Sequence, residues 1–218
     1  AFVILFVLIP VLGTVWDSFH LDVPYRENRF VGLANYIWLF RDPGFHRAVV
    51  FTFLFVVASV PLQVLAGLSV ALVLNERIFF RGVVRVCVLI PWAIPAAVSA
   101  RIFELIYNYS YGAANYLLRT FHLHDEPVNW LGSETGAFVA LVVADTWKTA
   151  PFAASIILAG LSAVSGDLYR QAKVDRASML QRFFRITIPL LKPVLIVTFL
   201  FRTVDSLRIF DVIYVLTG

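Results

Sequence analysis

The sequence predicts an all-α integral membrane protein, a polytopic bundle of helices. Three observations predict it. Of 218 residues, 60% are hydrophobic and only 15% charged, against roughly 25% charged in an ordinary soluble domain. Mean hydropathy is +0.83. The apolar residues also run in long continuous stretches, whereas a membrane β-barrel needs alternating segments of about ten residues. A soluble domain of this length needs a polar coat that this composition does not supply. Disorder, a nucleic-acid-binding module and a typical cytosolic enzyme are thereby excluded. The net charge of +4 reads as loop charge facing a membrane, with no nucleic acid as partner.

A helix needs about 20 largely apolar residues to cross a bilayer. Five stretches qualify as spans: Ala1 to Trp16, Ala48 to Leu74, Val83 to about Tyr107, Gly136 to Val164 and Ile186 to about Val204. The first has no basic region before it and no small-residue cleavage site after it, so it reads as a span and not as a signal. The third is interrupted by Pro91 and Pro95. Arg77, Arg81 and Arg85 in one loop and Arg170, Lys173, Arg176, Arg182, Arg185 and Lys192 in another share a side. The opposite loops carry Arg26, Arg29, Arg41, Arg47 and Arg119. Nine against five puts loops 75–85 and 165–192 in the cytoplasm and loops 20–47 and 108–134 outside. Both ends read as cut, since the chain begins in mid-run at Ala1 and stops at Gly218.

Covalent chemistry has few candidates. Cys87 is the one cysteine, which excludes an intrachain disulfide or a cysteine-based metal site. His122 and His124 are close in sequence, but no further ligand is spaced to join them, so no metal site is expected. No phosphate-binding GxxxxGK[ST] loop occurs. No catalytic residue is expected, and the chain is not read as an enzyme.

The stretch from Asp167 to Pro189 is the most informative loop. Asp167 is placed to cap a helix behind Gly166. Met179, Phe183 and Ile186 form one apolar stripe, with Arg182 and Arg185 off it. Pro189 marks a break or kink before the fifth span. An amphipathic helical loop of this kind either lies flat at the membrane interface or docks to a partner protein, and the residues alone leave both open.

This loop resembles the EAA loop of binding-protein-dependent ABC importer permeases of the maltose and glycerol-phosphate type. Asp175, Ala177, Ser178 and Pro189 match the pattern. Gln171 stands for its Glu beside Ala172, Lys173 for its second Ala, and Arg176 for its Gly. That Gly serves the turn between two short helices, so Arg176 is costly if the turn needs positive φ. Phe30-Val-Gly-Leu-Ala-Asn-Tyr36, Leu89-Ile-Pro-Trp-Ala-Ile-Pro95, Trp147-Lys-Thr-Ala-Pro-Phe152, Leu158-Ala-Gly-Leu161 and Phe201 to Gly218 are similar to further motifs of the family, in family order. The resemblance implies one permease domain over residues 1–218, with 165–192 as its ATPase-coupling loop and a sixth span beyond Gly218. It also implies a second permease, two ATPase subunits that hold ATP and Mg, and an extracytoplasmic solute-binding protein. This chain would bind no cofactor itself, and would lie in the plasma (inner) membrane of a prokaryote and carry a sugar.

Ionisable groups within spans are expensive and usually face a bundle interior or a watery path. Arg101 and Glu104, then Asp145 and Lys148, are spaced to pair on one helix face. Arg202, Asp205, Arg208 and Asp211 continue that spacing with alternating sign. One reading is mutual neutralisation. The other is a hydrophilic sugar path, where the indole of Trp147 would offer a stacking face. Tyr107, Tyr109 and Tyr111 suit the outer interface belt. A proton-coupled secondary transporter is the rival class. It would use Glu104 or Asp145 as a relay, but each has a basic neighbour, and no internal repeat is visible.

Overall fold

The computed structural model of the chain describes residues 2, 4–21, 29–76, 79–209, 212, 213 and 215. It forms two compact units, Ala1–Thr52 and Phe53–Gly218.

In the first unit a π-turn, Ile4–Leu8, runs into helix α1, Ile9–Asp17. Strands β1 (His20–Leu21) and β2 (Arg29–Phe30) pair antiparallel, His20 opposite Phe30. Helix α2 spans Ala34–Leu39. The Phe30 to Tyr36 motif has a structural task here. Gly32 takes φ +57°, which only glycine adopts cheaply. The Asn35 amide then donates to the carbonyls of Ser18 and His20 at 2.9 and 3.0 Å. These bonds satisfy backbone groups that a short two-strand pair leaves open.

Helix α3, Pro43–Asn75, starts at an Asp42 carboxylate that accepts from Gly44 N. The second unit contains the rest of α3, then α4 (Arg81–Ala93), α5 (Ala96–Ile106), α6 (Ala113–Thr120) and α7 (Glu134–Ala163). Helices α8 (Gly166–Val174), α9 (Met179–Arg182) and α10 (Ile188–Leu207) complete it. Among the described residues, three helical stretches are long and apolar enough to cross a membrane: Pro43–Asn75, Glu134–Ala163 and Met179–Leu207. The expected third span is not straight. Its halves α4 and α5 meet at 91°, around Pro95. The first apolar helix, Leu5–Asp17, would reach about 20 Å, short of the roughly 30 Å hydrocarbon core.

Helix α7 is the centre of the second unit. Its apolar window is 56% buried, against 22% and 17% for the other two long helices. Its residues Ala154, Ile157, Leu158 and Leu161 pack with Leu68, Ala71 and Leu74 of α3 and Leu191 of α10. Lipid tails are as apolar as leucine, so helix association in a membrane depends on close packing by small residues. Gly67 shows the closeness, since a Cβ built there would stand 2.7 Å from Ala153 Cβ.

The loop after α7 corrects two expectations. Ser165, not Asp167, is the N-cap of α8, accepting from the Asp167 N–H. Asp167 instead pairs with Arg170 on the helix surface. Pro189 causes no break. A π-turn at Phe183–Thr187 carries α9 into α10 as one helix, and Ile188 N–H bonds to Phe183 O, five residues back. The widened turn absorbs the proline, whose ring would clash with the carbonyl four residues before it in an α-helix.

Arg176 takes φ +55°. Ala177 N–H donates to Ala172 O at 2.9 Å and Arg176 N–H to Lys173 O at 3.1 Å, which is a Schellman ending with a non-glycine residue at its left-handed position. Ser178 then starts α9 in a reciprocal capping box with Gln181. Arg176→Gly is therefore expected to stabilise the protein by about 0.5–1 kcal/mol, because glycine removes the left-handed penalty. A rise of roughly 1–3 °C in the melting temperature in detergent would register it.

Candidate functional site

The buried charges of the spans converge on one amide. Gln63 of α3 is fully buried. Its Nε2 donates to Asp145 Oδ2 of α7 at 2.7 Å, and its Oε1 accepts from Arg202 Nε of α10 at 2.8 Å. The two contacts fix the orientation of the amide, since only a donor suits the carboxylate and only an acceptor suits the guanidinium. Arg202 also donates to Asp205 Oδ2 at 2.8 Å. Its side chain is 3% exposed, while that of Asp205 is 55% exposed. The chain Asp145–Gln63–Arg202–Asp205 thus joins three helices and runs from the core to an open edge.

A cavity of about 220 Å³ adjoins this network. Asp145, Lys148 and Thr149 line one side, and Arg202, Asp205, Ser206 and Arg208 another. Ser206 Oγ is buried without a hydrogen-bond partner among the described residues. Five of the charged positions singled out in the sequence therefore line one place: Asp145, Lys148, Arg202, Asp205 and Arg208. Asp211 lies outside the described residues. Arg101 and Glu104 stand apart from the cavity and close a 2.6 Å ion pair, with side chains 68% and 40% exposed.

Lys148 does not pair with Asp145 as its spacing suggested. Its ammonium donates to Ile94 O at 2.6 Å and Trp92 O at 3.4 Å. These carbonyls end α4 at the bend, where the helix no longer supplies their donors. A cation is also favoured by the partial negative charge of a helix C-terminus. Beside it Trp92 stacks on Phe152 at 5.4 Å, so α7 holds the bent span by both a charge and a ring. Trp147 packs edge-on against Phe103 at 5.4 Å and does not line the cavity.

From Phe103 an aromatic chain leads through Tyr107 to Trp130. Tyr107 is buried, whereas Tyr109 and Tyr111 are exposed. Trp130 Nε1 donates to Asn115 Oδ1, which also accepts from Val128 N–H, while the Asn115 amide donates to Tyr109 O and Val128 O. All four bonds of one buried asparagine hold the 108–134 segment. Asn115→Ala should destabilise the protein by about 2–4 kcal/mol, from unsatisfied groups at roughly 1–3 kcal/mol each. Limited proteolysis of residues 108–134 should accelerate in parallel. Unchanged proteolysis would show that this segment is held by other contacts.

In the segment after α7, Gln171 O accepts from the Asp175 N–H that ends α8, and Ala172 is buried by its own chain. Ala177 is half-buried and Ser178 exposed. Tyr169 OH meets Thr187 Oγ1 at 3.0 Å, tying α8 to the π-turn. Val174, Met179, Leu180 and Phe184 are left exposed. Among the described residues no group of three His, Cys, Asp or Glu side chains is placed to hold a metal ion.

A polytopic helical membrane protein with a buried ionic network beside a polar cavity is the class of molecule that fold and site define. The chain matches the family of binding-protein-dependent transport system inner membrane components over residues 63–218. It is 52% identical over 217 residues to the trehalose/maltose transport system permease protein MalF of Thermococcus litoralis, covering 99% of this chain and 73% of that one. It is 37% identical to the sulfoquinovosyl glycerol transport system permease protein SmoG of Agrobacterium fabrum, covering 98% and 70%. Its fold is similar to a chain in the crystal structure of a bacterial alginate ABC transporter in complex with an alginate pentasaccharide-bound periplasmic protein, with TM-score 0.82, 24% identity, and coverage of 100% and 73%. The chain belongs to the family of binding-protein-dependent transport permeases and is an inner-membrane, multi-pass component.

Proposed function

We propose that this chain carries a sugar or related polyhydroxylated solute inward as one permease subunit of an ABC importer. ATP and Mg are held, and ATP hydrolysed, on two partner ATPase subunits. A second permease completes the pore, and an extracytoplasmic binding protein delivers the solute. Residues 165–192 form the cytoplasmic coupling loop of this single permease domain. The observation that carries this reading is the polar cavity beside Asp145, Arg202, Asp205 and Ser206. Hydroxyl-rich solutes need several donors and acceptors at once, and such a wall offers both. At about 220 Å³ it is smaller than the roughly 300–1,000 Å³ of a complete ligand pocket, which suits a half-site closed by the second permease. Relatives named for trehalose, maltose and sulfoquinovosyl glycerol transport support the solute class.

The test is solute uptake by vesicles containing the full complex. Uptake that stops with vanadate and persists with an uncoupler supports ATP-driven import. The opposite pattern would make the chain a proton-coupled carrier, with Asp145 as its relay.

A further inference from the structure

A second cavity, of about 270 Å³, lies between the end of α3, the first turns of α4 and one face of α7. Pro151, Ser155, Leu158 and Ser162 line it on successive turns of α7, a length of roughly 16 Å at the helical rise. Leu74 and Leu89 close the apolar sides. Into this apolar slot comes Arg85. Its Nε is buried and makes no hydrogen bond among the described residues. Buried polar groups are normally satisfied, so an orphan donor on a cation calls for a partner.

The neighbours do not supply one. Arg81, one turn earlier, is spent on the carbonyls of Leu74 and Asn75 at 3.0 and 3.4 Å. Ser155 and Ser162 direct their hydroxyls to their own helix, at Pro151 O and Leu158 O. Leu74 and Ser162 of the lining sit one residue from the ends of α3 and α7, and Arg85 lies only about 6 Å into α4. Side chains this close to the ends of spanning helices would lie near the headgroups of a bilayer. A phosphate at this level would meet the guanidinium fork, and an acyl chain would follow the leucine-lined wall toward Pro151.

We propose that this slot binds an anionic phospholipid, with Arg85 holding its phosphate. Charge complementarity favours that occupant over an uncharged helix, which would offer the half-buried guanidinium no counter-charge.

The experiment is native mass spectrometry of the full-length protein purified in its complex, with phosphatidylglycerol and phosphatidylcholine as probes. The complex should retain phosphatidylglycerol about tenfold over phosphatidylcholine, a difference of about 1.4 kcal/mol. Arg85→Gln should abolish the preference, and Arg85→Lys should keep part of it. Ala159→Trp, which fills the slot from α7, should release both lipids while leaving Arg85 in place. Equal retention of the two lipids by the unaltered complex would overturn the proposal, as would a preference that survives Arg85→Gln. Displacement of phosphatidylglycerol by millimolar inorganic phosphate would reassign the slot to a small anion. No lipid retained in the complex would mean that a protein segment fills it.

Discussion

Arg202→Met is expected to destabilise the protein by about 3–5 kcal/mol, the cost of stranding a buried charge by removing its partner. Arg202 compensates Asp145 through the amide of Gln63, and no other cation reaches that amide in the described residues. Hydrogen bonds between membrane helices average only about 0.6 kcal/mol, so charge and not bond count sets the size of the effect. The discriminating variant is Arg202→Met with Asp145→Asn. It removes both charges and still lets Gln63 donate to a side-chain oxygen, so more than half of the lost stability should return. Unfolding in mixed micelles would measure both. A single variant within about 1 kcal/mol of the parent would show that the network is not needed for the fold.

The sequence made the charged residues visible but not their partners. Asp145 and Lys148 have the spacing of a helical ion pair, and nothing local indicates that Lys148 turns instead to the broken end of α4. That contact follows from the 91° bend at Pro95, which two prolines signal and whose angle tertiary packing sets. Gln63 was overlooked because it sits in an uncharged run, although an amide in mid-span is a signal in its own right. Asn115 lies in the outer loop 108–134, within α6. The strand pair His20–Leu21 and Arg29–Phe30 is too short to leave a periodic trace. In contrast, the turn at Arg176 was legible. The glycine of the resembled motif made Arg176 costly if the turn needs positive φ, and φ +55° is what the arginine adopts.

Lys148 and Asp145 together give α7 two functions in the same turns. One holds the bent span, the other bonds the Gln63 amide that links α3 to α10, and both line the cavity. A rotation of α10 would therefore disturb the cavity wall and the ionic network at once. Such a rotation has a handle, because α10 grows from the π-turn that Tyr169 of α8 grips through Thr187.

Leu180→Glu is expected to abolish stimulation of ATP hydrolysis by loaded binding protein and to lower uptake at least tenfold, about 1.4 kcal/mol in the driving interaction. Basal hydrolysis and membrane insertion should persist. The choice of residue follows from the fold. Ala172 and Ala177 belong to the stretch that resembles the EAA loop, but Ala172 is only 9% exposed within its own chain, so a carboxylate there would test folding. Leu180 is 69% exposed, beside Met179 at 78% and Val174 at 82%. If this apolar edge enters a cleft of an ATPase subunit, a carboxylate is driven into a contact where an unpaired charge is costly. Leu180→Met keeps the surface apolar and should behave as the parent does. Undiminished stimulation in Leu180→Glu would remove the docking assignment. The loop would then be a helix lying against the lipid surface, its arginines at the headgroups.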